Sequence, residues 1–157
     1  MPEIAILDYG VGNLLSVERA FHFLDIPNQR TSDPAIVMKA SHLVLPGVGA
    51  FGAAIAVLKE KKLDQVIQDF ARTGRPVLGI CLGMQLLFDK SHEFGLHQGL
   101  GLIPGEVTPI SEQLQGRGKV PSIGWKKLDV NPSSKSSMPL GEQRYYYFVH
   151  SFMGNPK

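Results

Sequence analysis

The spacing of hydrophobic positions changes along the chain, and each change marks an element. Ile4-Ala5-Ile6-Leu7-Asp8 is a short apolar run that predicts a strand. Apolar residues then recur at helical spacing over 14–24. Residues 27–31 fit a polar strand, and 35–40 a short helix capped by Ser32 or Asp33. Leu43-Val44-Leu45 predicts a third strand, ended by Pro46-Gly47. Residues 53–59 and 63–73 read as helices and 76–80 as a fourth strand, while Met84-Gln85-Leu86-Leu87-Phe88 reads as the opening of another helix. This alternation predicts an α/β fold: an open, mostly parallel sheet with helices on both faces, flavodoxin- or Rossmann-like. Such sheets gather functional residues at the carboxyl ends of their strands. Here those ends are Asp8-Tyr9-Gly10, Pro46-Gly47-Val48-Gly49 and Cys81, expected along one edge.

From Gly99 the helical period fades. Strand-like pieces follow at 106–110, 122–130 and 144–152, and Asn131 to Gly141 reads as an exposed loop. These pieces are expected to extend or flank the sheet with mixed or antiparallel strands.

Composition narrows the picture. A length of 157 residues predicts one domain over 1–157. A net charge of +2 gives no electrostatic reason to expect nucleic acid. No apolar run approaches the roughly 20 residues that cross a membrane. The acidic opening Met1-Pro2-Glu3-Ile4 leads into a strand and does not read as a signal peptide. One cysteine allows no internal disulfide and no Cys-rich metal site. The expectation is a soluble cytoplasmic protein.

That cysteine lies in Gly79-Ile80-Cys81-Leu82-Gly83, between the fourth strand and the next helix. A lone cysteine among apolar residues is ordinarily a small core residue. Small residues on both sides, at a strand-to-helix turn, instead match the logic of a nucleophile elbow. The glycines allow a sharp turn and close approach of a substrate. A helix N-terminus favours negative charge and offers N–H groups to an oxyanion. Gly47-Val48-Gly49-Ala50-Phe51-Gly52 fits a dinucleotide-binding glycine pattern, but the strand after it ends in Cys81 rather than in an acid. A backbone N–H aimed at a tetrahedral intermediate suits the glycine-rich turn better. His150 is the histidine that strand-end placement puts nearest Cys81, so a Cys81–His150 dyad is one open reading. His22 and His42 read as structural. His92, Glu93 and His97 read as a polar loop rather than a metal site, and Lys59-Glu60-Lys61-Lys62 as a solvated helix end. Trp125 and Tyr145-Tyr146-Tyr147 suit core packing or a partner interface.

Gly-Ile-Cys-Leu-Gly-Met-Gln at 79–85, Pro-Gly-Val-Gly at 46–49, Asp-Tyr-Gly-x-Gly-Asn at 8–13 and Tyr-Phe-Val-His-Ser at 147–151 together resemble class I (triad) glutamine amidotransferases. More closely, they resemble the glutaminase subunits of imidazole glycerol phosphate synthases, as do residues 99–105, Lys119-Val120-Pro121 and Gly124-Trp125. The resemblance runs from residue 4 to residue 152. It implies that Cys81 attacks the side-chain amide of glutamine, forms a glutamyl thioester and releases ammonia. The Leu82 N–H and a re-oriented Gly49 peptide would form the oxyanion hole. Gln85, Glu93, Ser151 and Phe152 would bind glutamine. His150 would lie near the site and the subunit interface without acting as the base.

Ammonia would then pass to a cyclase (barrel) subunit making imidazole glycerol phosphate and an aminoimidazole carboxamide nucleotide, in histidine biosynthesis. No cofactor and no metal are expected. The family's base and orienting acid sit in a His-Pro-Glu segment, which residues 1–157 do not contain. The chain therefore reads as incomplete at its C-terminus, without the last strands and helix of the family fold. Little or no glutaminase activity is expected of it alone. Ser122-Ile123, Lys126 and Phe152 depart from the usual His-Met, Asn and Tyr. A glutaminase serving a surface-sugar amidotransferase, or an inactive homologue that docks on the barrel, are the alternative readings.

Overall fold

The first half of the chain forms an all-parallel sheet, and a computed structural model describes residues 3–114, 118–128 and 145–157. Strands β1 (Ile4–Leu7), β2 (Asn28–Thr31), β3 (His42–Gly47) and β4 (Val77–Cys81) lie in the order β2-β1-β3-β4. The order reverses between β1 and β3, which makes a switch point of the kind where open α/β sheets bind ligands.

The period-two pattern sorts side chains between the two faces. Ile4, Ile6 and Val44 turn to one face, where α1 (Leu14–Phe23) lays Leu14, Val17 and Phe21 against them. Ala5, Leu7, Leu43 and Leu45 turn to the other. There they meet Val37 of α2 (Pro34–Lys39), Phe51 and Leu58 of α3 (Phe51–Glu60), and Ile67 and Phe70 of α4 (Leu63–Arg72). Helices thus cover both faces, as the alternation predicts. Of the two cap candidates for α2, Asp33 caps it, accepting from the Ala35 N–H at 2.8 Å with Pro34 in the first turn. The helical stretch from 51 to 72 breaks at Lys62, whose φ is 57°.

Three local expectations change. β3 does not end before Pro46 but runs to Gly47 beside β4. Proline is tolerated because β1 pairs with β3 no further than Val44. The helix after Cys81 is short: α5 spans Leu82–Leu86, and a strand, β5 (Phe88–Ser91), starts where further helix is expected. Phe88 is buried there and pairs with Ile103 across the next sheet. That sheet has the order β10-β7-β5-β6, with β6 (His97–Gln98), β7 (Ile103–Pro109) and β10 (Phe152–Pro156). Its β5–β7 pair is parallel and its β5–β6 pair antiparallel, the mixed pairing expected of the second half.

By packing, the chain divides into two units, Met1–Thr108 with Gly154–Lys157, and Pro109–Met153. In the first, the Lys157 N–H donates to the Pro104 carbonyl at 3.0 Å. The second holds α6 (Ile110–Leu114) and an antiparallel pair, β8 (Ser122–Lys127) with β9 (Tyr145–His150). The loop expected at 131–141 lies outside the described residues.

Candidate functional site

Cys81 ends β4 and caps α5, and its sulfur-bearing residue is exposed. Its backbone has φ 55° and ψ −116°, in a region that side-chain-bearing residues rarely occupy. The flanking glycines do not carry this strain; they answer a different demand. A Cβ on Gly83 would run into the Leu45 carbonyl of β3, and one on Gly79 into the backbone of Met84. Their lack of a side chain lets α5 fold tightly back over the end of the sheet, and that fold forces the bend onto Cys81. Strain held in place by its surroundings, at an exposed nucleophilic residue, is the physical content of an elbow.

Register places Gly47 directly beside Cys81, as the last partners of β3 and β4. The turn that follows carries Val48 and Gly49, both exposed. Gly49 has φ +95°, and a Cβ on it would meet nothing within 4 Å. Its glycine serves backbone conformation, not packing. Leu82, the first residue of α5, is buried, which anchors the helix end. Gln85 is half-buried one turn on. The expected edge of strand ends is therefore present: Tyr9 donates its hydroxyl to the Pro46 carbonyl at 2.9 Å, and Pro46–Gly47 adjoins Cys81.

The polar loop after β5 separates rather than clusters. Glu93 turns to α3, and its Oε2 accepts from the Phe51 N–H at 2.6 Å. His92 lies 2.7 Å from Glu106, which Lys90 also approaches at 3.0 Å. The hydrogen bond from His92, with Lys90 beside it, holds the Glu106 carboxyl below the usual carboxylate range. His97 sets its ring 6.3 Å from that of Phe51. Among the described residues, no three His, Cys, Asp or Glu side chains converge as metal ligands would.

His150, Ser151 and Phe152 belong to the second unit. There the Ser151 carbonyl accepts from the Ile110 N–H at 2.9 Å, and His150 Nδ1 lies 2.8 Å from the Phe152 carbonyl. His150 also lines a cavity of about 300 Å³ with Ser122, Lys126 and Met153.

Two residues near the turn do more than their sequence suggests. Tyr9 is fully buried, and burial pushes its phenol up to about 12. Lys61, from the charge run at the end of α3, reaches back to the Tyr9 carbonyl at 2.9 Å instead of standing only in solvent. Tyr9 stands in the Asp-Tyr-Gly-x-Gly-Asn segment at a strand end and Lys61 in a charge run, but neither pattern announces these contacts.

Residues 9–131 match the model of the CobB/CobQ-like glutamine amidotransferase domain. The chain is 50% identical over 149 residues to the imidazole glycerol phosphate synthase subunit HisH of Lacticaseibacillus casei (strain BL23), covering 95% of this chain and 70% of that one. The chain belongs to the class I glutamine amidotransferases. This amidotransferase is also 47% identical over 165 residues to imidazole glycerol phosphate synthase subunit HisH 1 of Legionella pneumophila (strain Lens), covering 99% of this chain and 76% of the relative. Its fold matches a crystal structure of a glutamine amidotransferase with a TM-score of 0.70, at 16% identity, over 94% of this chain and 70% of that one. At that identity the likeness concerns the fold of the amidotransferase alone.

Proposed function

We propose that this amidotransferase is the glutaminase subunit of an imidazole glycerol phosphate synthase, a single domain over 1–157 that works in the cytoplasm as a heterodimer with a cyclase barrel. The observation that carries the reading is the exposed Cys81 at a strained backbone angle, in register with Gly47. In this reading the Cys81 sulfur attacks the side-chain amide carbon of glutamine. The carbonyl oxygen takes the negative charge and is met by the Leu82 N–H and a re-oriented Gly49 peptide. Collapse expels ammonia and leaves a glutamyl thioester, which water hydrolyses to glutamate. Gln85, Glu93, Ser151 and Phe152 hold the glutamine, with His150 at the edge of the site. The leaving nitrogen needs a proton donor; residues 1–157 supply the nucleophile and its oxyanion donors. No cofactor takes part.

Ammonia then passes to the cyclase subunit, where ring closure and bond cleavage yield imidazole glycerol phosphate, a lyase step of histidine biosynthesis. The exposed face of β8 and β9 supports a partner. Ile123 pairs with Val149 and Trp125 with Tyr147 there, the last two ring to edge at 5.6 Å, and all four are more than half exposed. Among the described residues, no helix is long and apolar enough to cross a membrane.

The chloromethyl ketone analogue of glutamine tests the site without requiring turnover, because the Cys81 sulfur displaces chloride directly. The expected result is one adduct, on Cys81, formed faster than on free cysteine and slowed by glutamine. Labelling at the rate of free cysteine, with no protection by glutamine, overturns the proposal.

A further inference from the structure

The turn that carries Gly49 is held at both ends and exposed between them. At its start, the Pro46 carbonyl accepts the Tyr9 hydroxyl at 2.9 Å. At its end, the Phe51 N–H is held by Glu93 at 2.6 Å. Val48 and Gly49 lie between, exposed, with open space around Gly49. A peptide that must turn its N–H toward a transient oxyanion needs this arrangement: fixed neighbours and freedom at one point.

Tyr9 is built to be the fixed neighbour. Its side chain is fully buried, so the ring has no alternative place. Its own carbonyl is secured by Lys61 Nζ at 2.9 Å. Its hydroxyl lies 2.9 Å from where a Cβ on Gly47 would stand, so phenol and turn are in direct contact. Burial pushes that phenol up to about 12, so it keeps its proton, and remains a donor, at neutral pH. Without it, the Pro46 carbonyl loses its partner and the peptides after it lose their reference.

We propose that Tyr9 is a positioning residue for the oxyanion turn: through the Pro46 carbonyl it sets where the Gly49 N–H points when charge develops beside Cys81. This rests on the oxyanion role given to Gly49 above. It assigns to Tyr9 no contact with substrate.

Two reactions of the same sulfur separate positioning from simple support. With p-nitrophenyl acetate, sulfur attacks a carbonyl carbon, the oxygen becomes anionic, and collapse expels p-nitrophenolate to leave an acetyl thioester. With iodoacetamide, sulfur displaces iodide at a saturated carbon and no oxyanion forms. Both rates are measured on the full chain, with Cys81→Ser subtracted as background and a cysteine peptide as reference. In the unmodified protein, the acylation-to-alkylation ratio is expected to exceed that of the peptide by about tenfold. Tyr9→Phe, which keeps the buried ring, is expected to slow acylation about five- to tenfold and leave alkylation within about twofold. Unchanged acylation, or an equal fall in both reactions, overturns the proposal. A ratio in the unmodified protein no higher than that of the peptide removes the oxyanion reading itself, a separate failure. Lys61→Met, a surface change that frees the Tyr9 carbonyl, is expected to give the same split at about two- to threefold. It decides the matter if Tyr9→Phe does not fold, and no split there overturns the proposal.

Discussion

At the residue scale, the site rests on one side chain held in an unfavourable backbone conformation and one phenol held away from water. Cys81 accepts a φ that costs on the order of 1–3 kcal/mol because Gly79 and Gly83 let strand, turn and helix close around it. Tyr9 shows its cost through pH. Burial raises its phenol from 10.0 to about 12, so between those values the unfolded chain loses a proton that the folded chain keeps. Stability from this group is complete below pH 10 and declines as pH rises through that window, by about 1.4 kcal/mol per unit. Urea unfolding from pH 8 to 11.5 should therefore show a steeper alkaline decline for the unmodified protein than for Tyr9→Phe. Matching slopes would contradict the burial argument.

At the element scale, α3 starts without a side chain of its own to cap it, since Ala50 is its N-cap. The Glu93 carboxylate, from the loop after β5, supplies the missing acceptor at the Phe51 N–H. Removing it leaves an N–H on a buried residue without that partner. Glu93→Ala should cost about 1–3 kcal/mol in urea unfolding, and Glu93→Gln, which keeps an acceptor oxygen, distinctly less. This contact also shows where sequence reading stops. Periodicity located α1 to α4 and β1 to β4 to within a few residues, because each repeats its pattern locally. It misses β5 and β6, because β5 is ordered by pairing with β7 and β6 is an edge strand of 2 residues, too short to show a period. It gives no sign that Glu93 caps α3, because nothing in Ala50-Phe51 announces an uncapped helix.

At the scale of the whole molecule, exposed apolar surface is the informative feature. Leu78 and Ile80 of β4 stand on the same sheet face as Val44 but are 44% and 37% exposed. On the second unit, the β8–β9 face presents Trp125 at 71% exposure. Surface aromatics of this kind anchor interfaces. Trp125→Ala should lower folding stability by no more than about 1 kcal/mol, because the ring is mostly exposed and loses an edge contact with Tyr147. It should weaken association with the proposed cyclase partner by about tenfold, read by titration calorimetry. Unchanged affinity would move the partner to another surface.

The sequence by itself determined the order of β1 to β4 and α1 to α4, the parallel sheet they form, the glycine-flanked cysteine at a strand end and the family. All of these are written in local spacing and residue type. Only the tertiary structure decided that the strain falls on Cys81 and not on its glycines, that Tyr9 holds Pro46 from 37 residues away, and that Glu93 caps a helix 42 residues earlier. The reason is physical. A backbone carbonyl or N–H looks the same at every position in a sequence, and whether it lacks a partner depends on which distant side chain the folded chain brings to it.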